Sequence, residues 1–160
     1  MIKHIILSTL LVVSSYSAFG ASYELSNDDL RCLSTNIYFE SRNQSIAGRI
    51  AVGLVTLNRV RDKRWPDTVC GVVHQAKMNG PHIIRNKCQF SWYCDGLSDT
   101  IRVISDWEDS VLMARNAVRL FAADADFTEG STHYHSTSVY PWWADSYQFV
   151  VRIDDHKFYK

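Results

Sequence analysis

An apolar helical stripe that runs into a carboxylate constrains this chain more than any other feature of its sequence. Read as a helix at about 100° per residue, Asn27 to Ser41 puts Leu30, Leu33 and Ile37 on one face. Glu40 falls on that same face rather than on the polar one. A charge buried without a partner costs about several kcal/mol, so a carboxyl placed there finds a partner or keeps its proton. A carboxyl that is protonated near neutral pH is what a general acid requires. The competing reading is a side chain at the last turn that bends out to solvent or pairs with Arg42.

The rest of the chain supplies a scaffold for that stripe. Ser26 followed by Asp29, with Leu25 and Leu30 flanking, marks the helix N-terminus with a capping pair and a hydrophobic staple. After a polar break, IAGRIAVGLVTLNRV repeats apolar residues at Ile46, Ile50, Gly53, Leu54, Leu57 and Val60, which predicts the most buried helix of the fold. Gly48 and Gly53 each cost about 1 kcal/mol against Ala inside a helix, so they point to close packing against a neighbour. Trp65-Pro66-Asp67 ends that element, and DTVCGVVHQAK reads as a short third helix. From Asn79 to Gly96 the periodicity fails, and Gly80, Pro81 and two cysteines predict a long loop or irregular β segment.

Ser105 and Glu108 form a second capping box, ahead of a core stripe at Trp107, Val111, Ala114, Val118 and Phe121. STHYHS then alternates as a strand does, with His133 and His135 on one face and Thr132, Tyr134 and Ser136 on the other. TSVYPWWADS reads as a loop, and QFVVRI and HKFYK as closing strands. The pattern is that of a helix-rich α+β single domain with a small β region.

The first 20 residues form a unit of their own. A basic start (Lys3, His4), an apolar run from Ile5 to Val13 and the tail Ala18-Phe19-Gly20 fit a cleavable secretory signal over residues 1–20, leaving 21–160 as the mature domain. The run is well short of the ~20 residues an anchor would need to cross a bilayer. Removing it takes away one base and no acid, leaving 16 basic and 17 acidic residues, a balance that argues against nucleic acid as partner. The charge is uneven, though: Arg31 to Arg64 holds seven basic residues against Glu40 and Asp62, a side suited to an anionic polymer. Cys32, Cys70, Cys88 and Cys94 all survive cleavage, and an even number in an exported chain reads as two disulfides. Three connectivities exist and sequence alone does not choose among them; the pairing favoured here is Cys88 with Cys94 across CQFSWYC, and Cys32 with Cys70.

Taken in order, IYFESR, GRIAVGLVTLNRV, RWPDTVCGVV, CQFSWYCDG and THYHSTSVYPWW resemble the SleB-type cell-wall hydrolases, the spore-cortex-lytic enzyme family, over Leu30 to Tyr159. The resemblance implies a lysozyme-like fold and cleavage of the MurNAc–GlcNAc bond of peptidoglycan by lytic transglycosylation, with the family's catalytic glutamate matching Glu40. Where the family commonly reads EARGE, this chain has Glu40-Ser41-Arg42-Asn43-Gln44, so Gln44 replaces a second acid and Asp95 becomes the candidate should one be needed. The QFS and HYH motifs point to Gln89, Ser91 and Tyr134 as groups that hold the sugar, with His133 and His135 beside them and Phe90, Trp142 and Trp143 as stacking surfaces. Asn58, in the LNRV run, is read as structural.

Two rival functions stand beside this one. His133 and His135, two apart on a strand, could join Glu40 or Asp145 around Zn and cut the amide between MurNAc and L-alanine. Alternatively, the scaffold binds wall without cutting it. The expectation carried forward is an exported monomer in the periplasm or cell envelope, acting on peptidoglycan glycan strands without a cofactor. It touches a membrane only through its signal segment.

Overall fold

The computed structural model describes residues 23–160, and the expected signal segment lies outside the described residues. Helix α1 (Asn27–Ser41) starts at Ser26, whose hydroxyl accepts the Asp29 N–H at 3.1 Å, and Asp28 and Asp29 place negative charge at its positive end. The Asp29 carboxylate does not return to Ser26 to complete a capping pair. It accepts the Cys70 N–H at 2.9 Å, beside the Cys32–Cys70 disulfide that ties α1 to the short helix α3 (Val69–Val73).

Helix α2 (Ile46–Arg61) is the most enclosed element, buried without interruption from Ile50 to Arg59. Its first residue is the exception to the expected stripe: Ile46 sits beyond the core, 60% exposed. Gly53 faces α4 (Ile104–Ala122), and a Cβ there would lie 2.8 Å from the Ala117 Cβ and 3.1 Å from Ile37 Cδ1. Three helices therefore meet at a point where only a hydrogen atom fits. The buried face of α4 is Ser110, Met113, Ala114 and Ala117, rotated from the expected one. Its small residues let the backbones approach, while the bulkier Trp107, Val111, Val118 and Phe121 fill the margins. The expected capping box is also absent. Helix α4 begins at Ile104 with Val103 as N-cap, and the Tyr38 hydroxyl of α1 lies 3.3 Å from the N–H groups of both Arg102 and Val103. A hydroxyl remote in sequence serves the helix start in place of Ser105 and Glu108.

The stretch expected to be a loop contains a hairpin, β1 (Ala76–Asn79) with β2 (His82–Cys88), which turns through Gly80 at φ +59°. A 3-10 turn (Ser91–Cys94) follows, closed onto β2 by the Cys88–Cys94 disulfide. The second sheet is antiparallel in the order β3 (His133–Ser136), β5 (His156–Tyr159), β4 (Phe149–Ile153). One face carries Tyr134, Phe158, Val151 and Ile153 and packs on Ala51 and Val55 of α2. Alternation puts His133 and His135 on the other face, as the sequence pattern required.

Gly53→Ala is expected to lower stability by ~1–3 kcal/mol through overpacking at the three-helix contact. The reading is a lower urea midpoint with an unchanged m-value; a wild-type midpoint would contradict the close approach of α1, α2 and α4.

Candidate active site

Glu40 continues the fully buried line of Leu33 and Ile37 at the last turn of α1, where the helix meets the β3 sheet. Its side chain is partly exposed, and Oε2 accepts a hydrogen bond from the Tyr134 hydroxyl at 2.8 Å across 94 residues of sequence. Burial pushes the Glu40 carboxyl above the ordinary carboxylate range, while the Tyr134 hydrogen bond and the charge of Arg59 pull the other way. Tyr134 is itself held well above the usual phenol range, first by burial and then by the neighbouring carboxylate, so it remains a donor.

Arg59 completes the arrangement from below. Its Nε donates to the Thr132 carbonyl at 2.7 Å, two residues from Tyr134, and its guanidinium lies between the rings of Trp65 (4.5 Å) and Phe90 (5.1 Å). Nη1 is buried and has no hydrogen-bond partner. Burial lowers the Arg59 pKa to about 10, which leaves it charged at neutral pH. The sequence reading missed this residue. The available signal was a base at the centre of an otherwise apolar helical run, a position that exposure alone does not explain. Asn58 next to it donates to Asp126 (2.8 Å) and to the Ser131 carbonyl (3.1 Å), fastening the loop before β3, in line with its structural reading.

Of the expected sugar-binding set, Tyr134 alone bonds to Glu40. Phe90 is 2% exposed and packs under Arg59, so it offers no ring face to a ligand, contrary to the stacking role expected for it. Its neighbours Gln89 and Ser91 are exposed at the edge of the disulfide loop. Trp92 anchors that loop on α1 by donating Nε1–H to Asn36 at 3.0 Å and stacking on Phe39 at 4.8 Å. Both the loop, through Trp92, and β3, through Tyr134, therefore reach the C-terminal part of α1.

His133 and His135 belong to a different environment, an aromatic pile with Trp143, Tyr147 and Tyr159 on the far face of the sheet. Burial and the charges of Arg59 and Arg64 depress the His133 pKa to about 4, keeping the ring neutral, and its Nδ1 lies 2.9 Å from the Thr132 hydroxyl. Both ring nitrogens of His135 are engaged, with the Tyr159 hydroxyl (2.9 Å) and the Ser136 carbonyl (2.8 Å). Asp145 is bonded to Tyr140. The zinc arrangement fails on this geometry, because strand alternation separates the histidines from Glu40 and no three ligand-type residues converge among the described residues. Trp143 packs over both histidines, and Trp142 beside it is 87% exposed.

Among the described residues no second carboxylate joins Glu40. Gln44 accepts the Asp155 N–H at 3.2 Å and donates to the Asp155 carboxylate at 3.4 Å, clamping the β4–β5 turn to the start of α2. Asp95 accepts the Leu97 N–H at 2.7 Å and lines a separate cavity of about 500 Å³ with Tyr38, Arg42, Asp99 and Arg102.

Residues 43–159 match the family model described as Cell Wall Hydrolase, a stretch that includes Arg59 and Tyr134 and opens three residues after Glu40. Among characterised relatives, the spore cortex-lytic enzyme of Bacillus cereus is 36% identical over 52 residues, 32% of this chain and 20% of the relative. That of Bacillus subtilis is 36% identical over 50 residues, 31% and 16% respectively. The match thus spans a fifth or less of these relatives' length. In three dimensions the chain is similar to the catalytic domain of the Bacillus cereus SleB protein, with a TM-score of 0.66 at 22% identity, covering 89% of this chain and 97% of that one. The catalytic domain of the germination-specific lytic transglycosylase SleB of Bacillus anthracis gives 0.64 at 24%, covering 84% and 96%. At these identities the likeness is one of fold, and it bears out the helix-rich α+β architecture with a small β region.

A carboxyl whose pKa is raised by folding favours the native state fully at low pH, and that contribution is lost as pH rises from the ordinary value through the raised one. Glu40→Gln is therefore expected to unfold at a higher temperature than wild type at pH 7, with the gap closing as pH falls below the normal carboxylate range. Equal melting temperatures at pH 7 would mean that the carboxylate is not strained by its surroundings.

Proposed function

The chain belongs to the cell wall hydrolase family, and on that premise we propose that it cuts peptidoglycan glycan strands at the MurNAc–GlcNAc bond as a lytic transglycosylase, with Glu40 as the only acid and base. The observation that carries the reading is a carboxyl with a raised pKa, partly buried, bonded to a tyrosine and, among the described residues, unaccompanied by another acid. Ordinary glycosidases divide the work between two carboxylates. A transglycosylase takes its nucleophile from the substrate, so one group serves twice.

In the first half Glu40 gives its proton to the glycosidic oxygen as the C1–O bond breaks, and the leaving sugar departs with a free hydroxyl. The positive charge that develops at C1 is steadied by the substrate's own N-acetyl oxygen. In the second half the C6 hydroxyl attacks C1, closing a 1,6-anhydro ring, and its proton returns to Glu40. The Tyr134 hydroxyl donates to the carboxylate while it is ionised, lowering the barrier to the intermediate state. Gln89 and Ser91, exposed at the loop edge, supply hydrogen bonds to sugar hydroxyls and N-acetyl groups. The spore cortex-lytic relatives carry their substrate in their name, and the same polymer outside the cytoplasm is the proposed target here. Export through residues 1–20 and action as a monomer complete the proposal.

Digestion of purified sacculi followed by mass analysis of the fragments tests the reaction. Anhydro-muramyl ends are expected; new reducing ends would indicate hydrolysis, and freed stem peptides would indicate the amidase. Glu40→Gln is expected to lose ~10²–10⁴-fold in rate while still binding glycan. A variant that digests sacculi normally would remove Glu40 from the reaction.

A further inference from the structure

Arg59 is buried, and among the described residues it is the positive charge whose field reaches Glu40. It is 5% exposed, held by rings on both sides, and tethered by one donor to the backbone two residues before Tyr134. A buried guanidinium with an unpartnered Nη1 is costly, on the order of a few kcal/mol per unmet ion, so a helix interior keeps one only against a strong local reason. The ordinary reason, a salt bridge, is absent: none of the ion pairs among the described residues includes Arg59. Its field instead reaches Glu40 on α1 and Tyr134 and His133 on β3.

Resting on the reading of Glu40 as acid and base, we propose that Arg59 is a positioning residue that steadies the ionised form of Glu40 between the two halves of the reaction and holds Tyr134 on its carboxylate. The charged groups around this centre are few. Glu40 comes from α1, Tyr134 and His133 come from β3, and Asp62 and Arg64 follow the end of α2 and act on His133. Trp65 and Phe90 shield the guanidinium from water, which keeps its field on the carboxylate undiluted. The Nε–Thr132 hydrogen bond fixes the strand segment from which Tyr134 projects, so charge and aim come from one side chain. Without this positive charge Glu40 would stay protonated to higher pH but be a weaker donor, because the carboxylate left behind by proton donation would be less stabilised. With Arg59 present, the carboxylate produced by proton donation is tolerated long enough to accept the C6 hydroxyl proton.

The test is the pH dependence of sacculus digestion by the full chain and its Arg59→Gln and Arg59→Lys variants, with Glu40→Gln as reference. Because Glu40 must start protonated, activity declines on the alkaline side as it ionises. Loss of the Arg59 charge is expected to move that alkaline limb to higher pH while the maximal rate falls by about tenfold to a hundredfold. Arg59→Lys, which keeps the charge and loses the fork, is expected to keep the wild-type limb with a lower maximal rate. A merely structural role predicts lower activity at every pH with the limb of Arg59→Gln unmoved, and that result would overturn the proposal. Should Arg59→Gln fail to fold, Arg59→Lys decides: a shifted limb or an undiminished rate overturns it. If Glu40→Gln remains active, the underlying reading fails instead; if only that variant is inactive and the Arg59 limbs coincide, the role of Arg59 alone is withdrawn.

Discussion

The 2.8 Å hydrogen bond from Tyr134 to Glu40 joins the end of the first helix to the β3 strand, and the chemistry proposed for this protein depends on it. Neither partner would sit comfortably alone. A carboxyl in line with Leu33 and Ile37 faces the low dielectric of the core, and burial drives it towards its neutral form. The Tyr134 ring packs against Phe158 and the α2 surface, and its hydroxyl needs an acceptor. Each supplies what burial has taken from the other. The arrangement leaves the carboxyl protonated more readily than an exposed glutamate and yet able to carry a charge for part of the cycle.

The remainder of the fold holds those two groups in register. Helix α2 runs through the centre and touches both halves: Gly53 lets α1 and α4 close around it, while Ala51 and Val55 receive the β3–β5–β4 sheet. At its N-terminus, Asp154 from the β4–β5 turn accepts the Ser45 N–H at 2.9 Å, and Gln44 bonds Asp155. The sheet is thus pinned to the α1–α2 connection a few residues from Glu40. On the opposite flank Trp92, bonded to Asn36 within the core, secures the disulfide loop to α1. A glutamine at position 44 is suited to this clamp, since its amide donates and accepts at once, whereas a glutamate there would face the Asp155 carboxylate.

Periodicity made much of this legible before any coordinates. The period of 3.6 carried Glu40 onto the apolar face of α1, and the period of two on STHYHS separated Tyr134 from the histidines, which is the geometry that sets the zinc alternative aside. Signals that depend on distant partners were harder to read. Ser105 and Glu108 satisfy a local capping rule, but Tyr38, more than 60 residues away, attends to the start of α4. Phe90 reads as a sugar platform from its place in the QFS motif, and its burial against Arg59 depends on a partner 31 residues away in sequence. The apolar run around Arg59 hints at its burial, but the rings that cover it, Trp65 and Phe90, come from separate segments that no window of neighbouring residues brings together.

The most direct test of the account is the ionisation of Glu40 itself, followed through the side-chain carboxyl carbon by NMR across a pH titration of the ligand-free protein. The account predicts a midpoint above the ordinary carboxylate range, the signature of an acid held neutral by its surroundings. A midpoint at or below that range would describe a solvated carboxylate, and the single acid and base proposed for this site would have no physical basis.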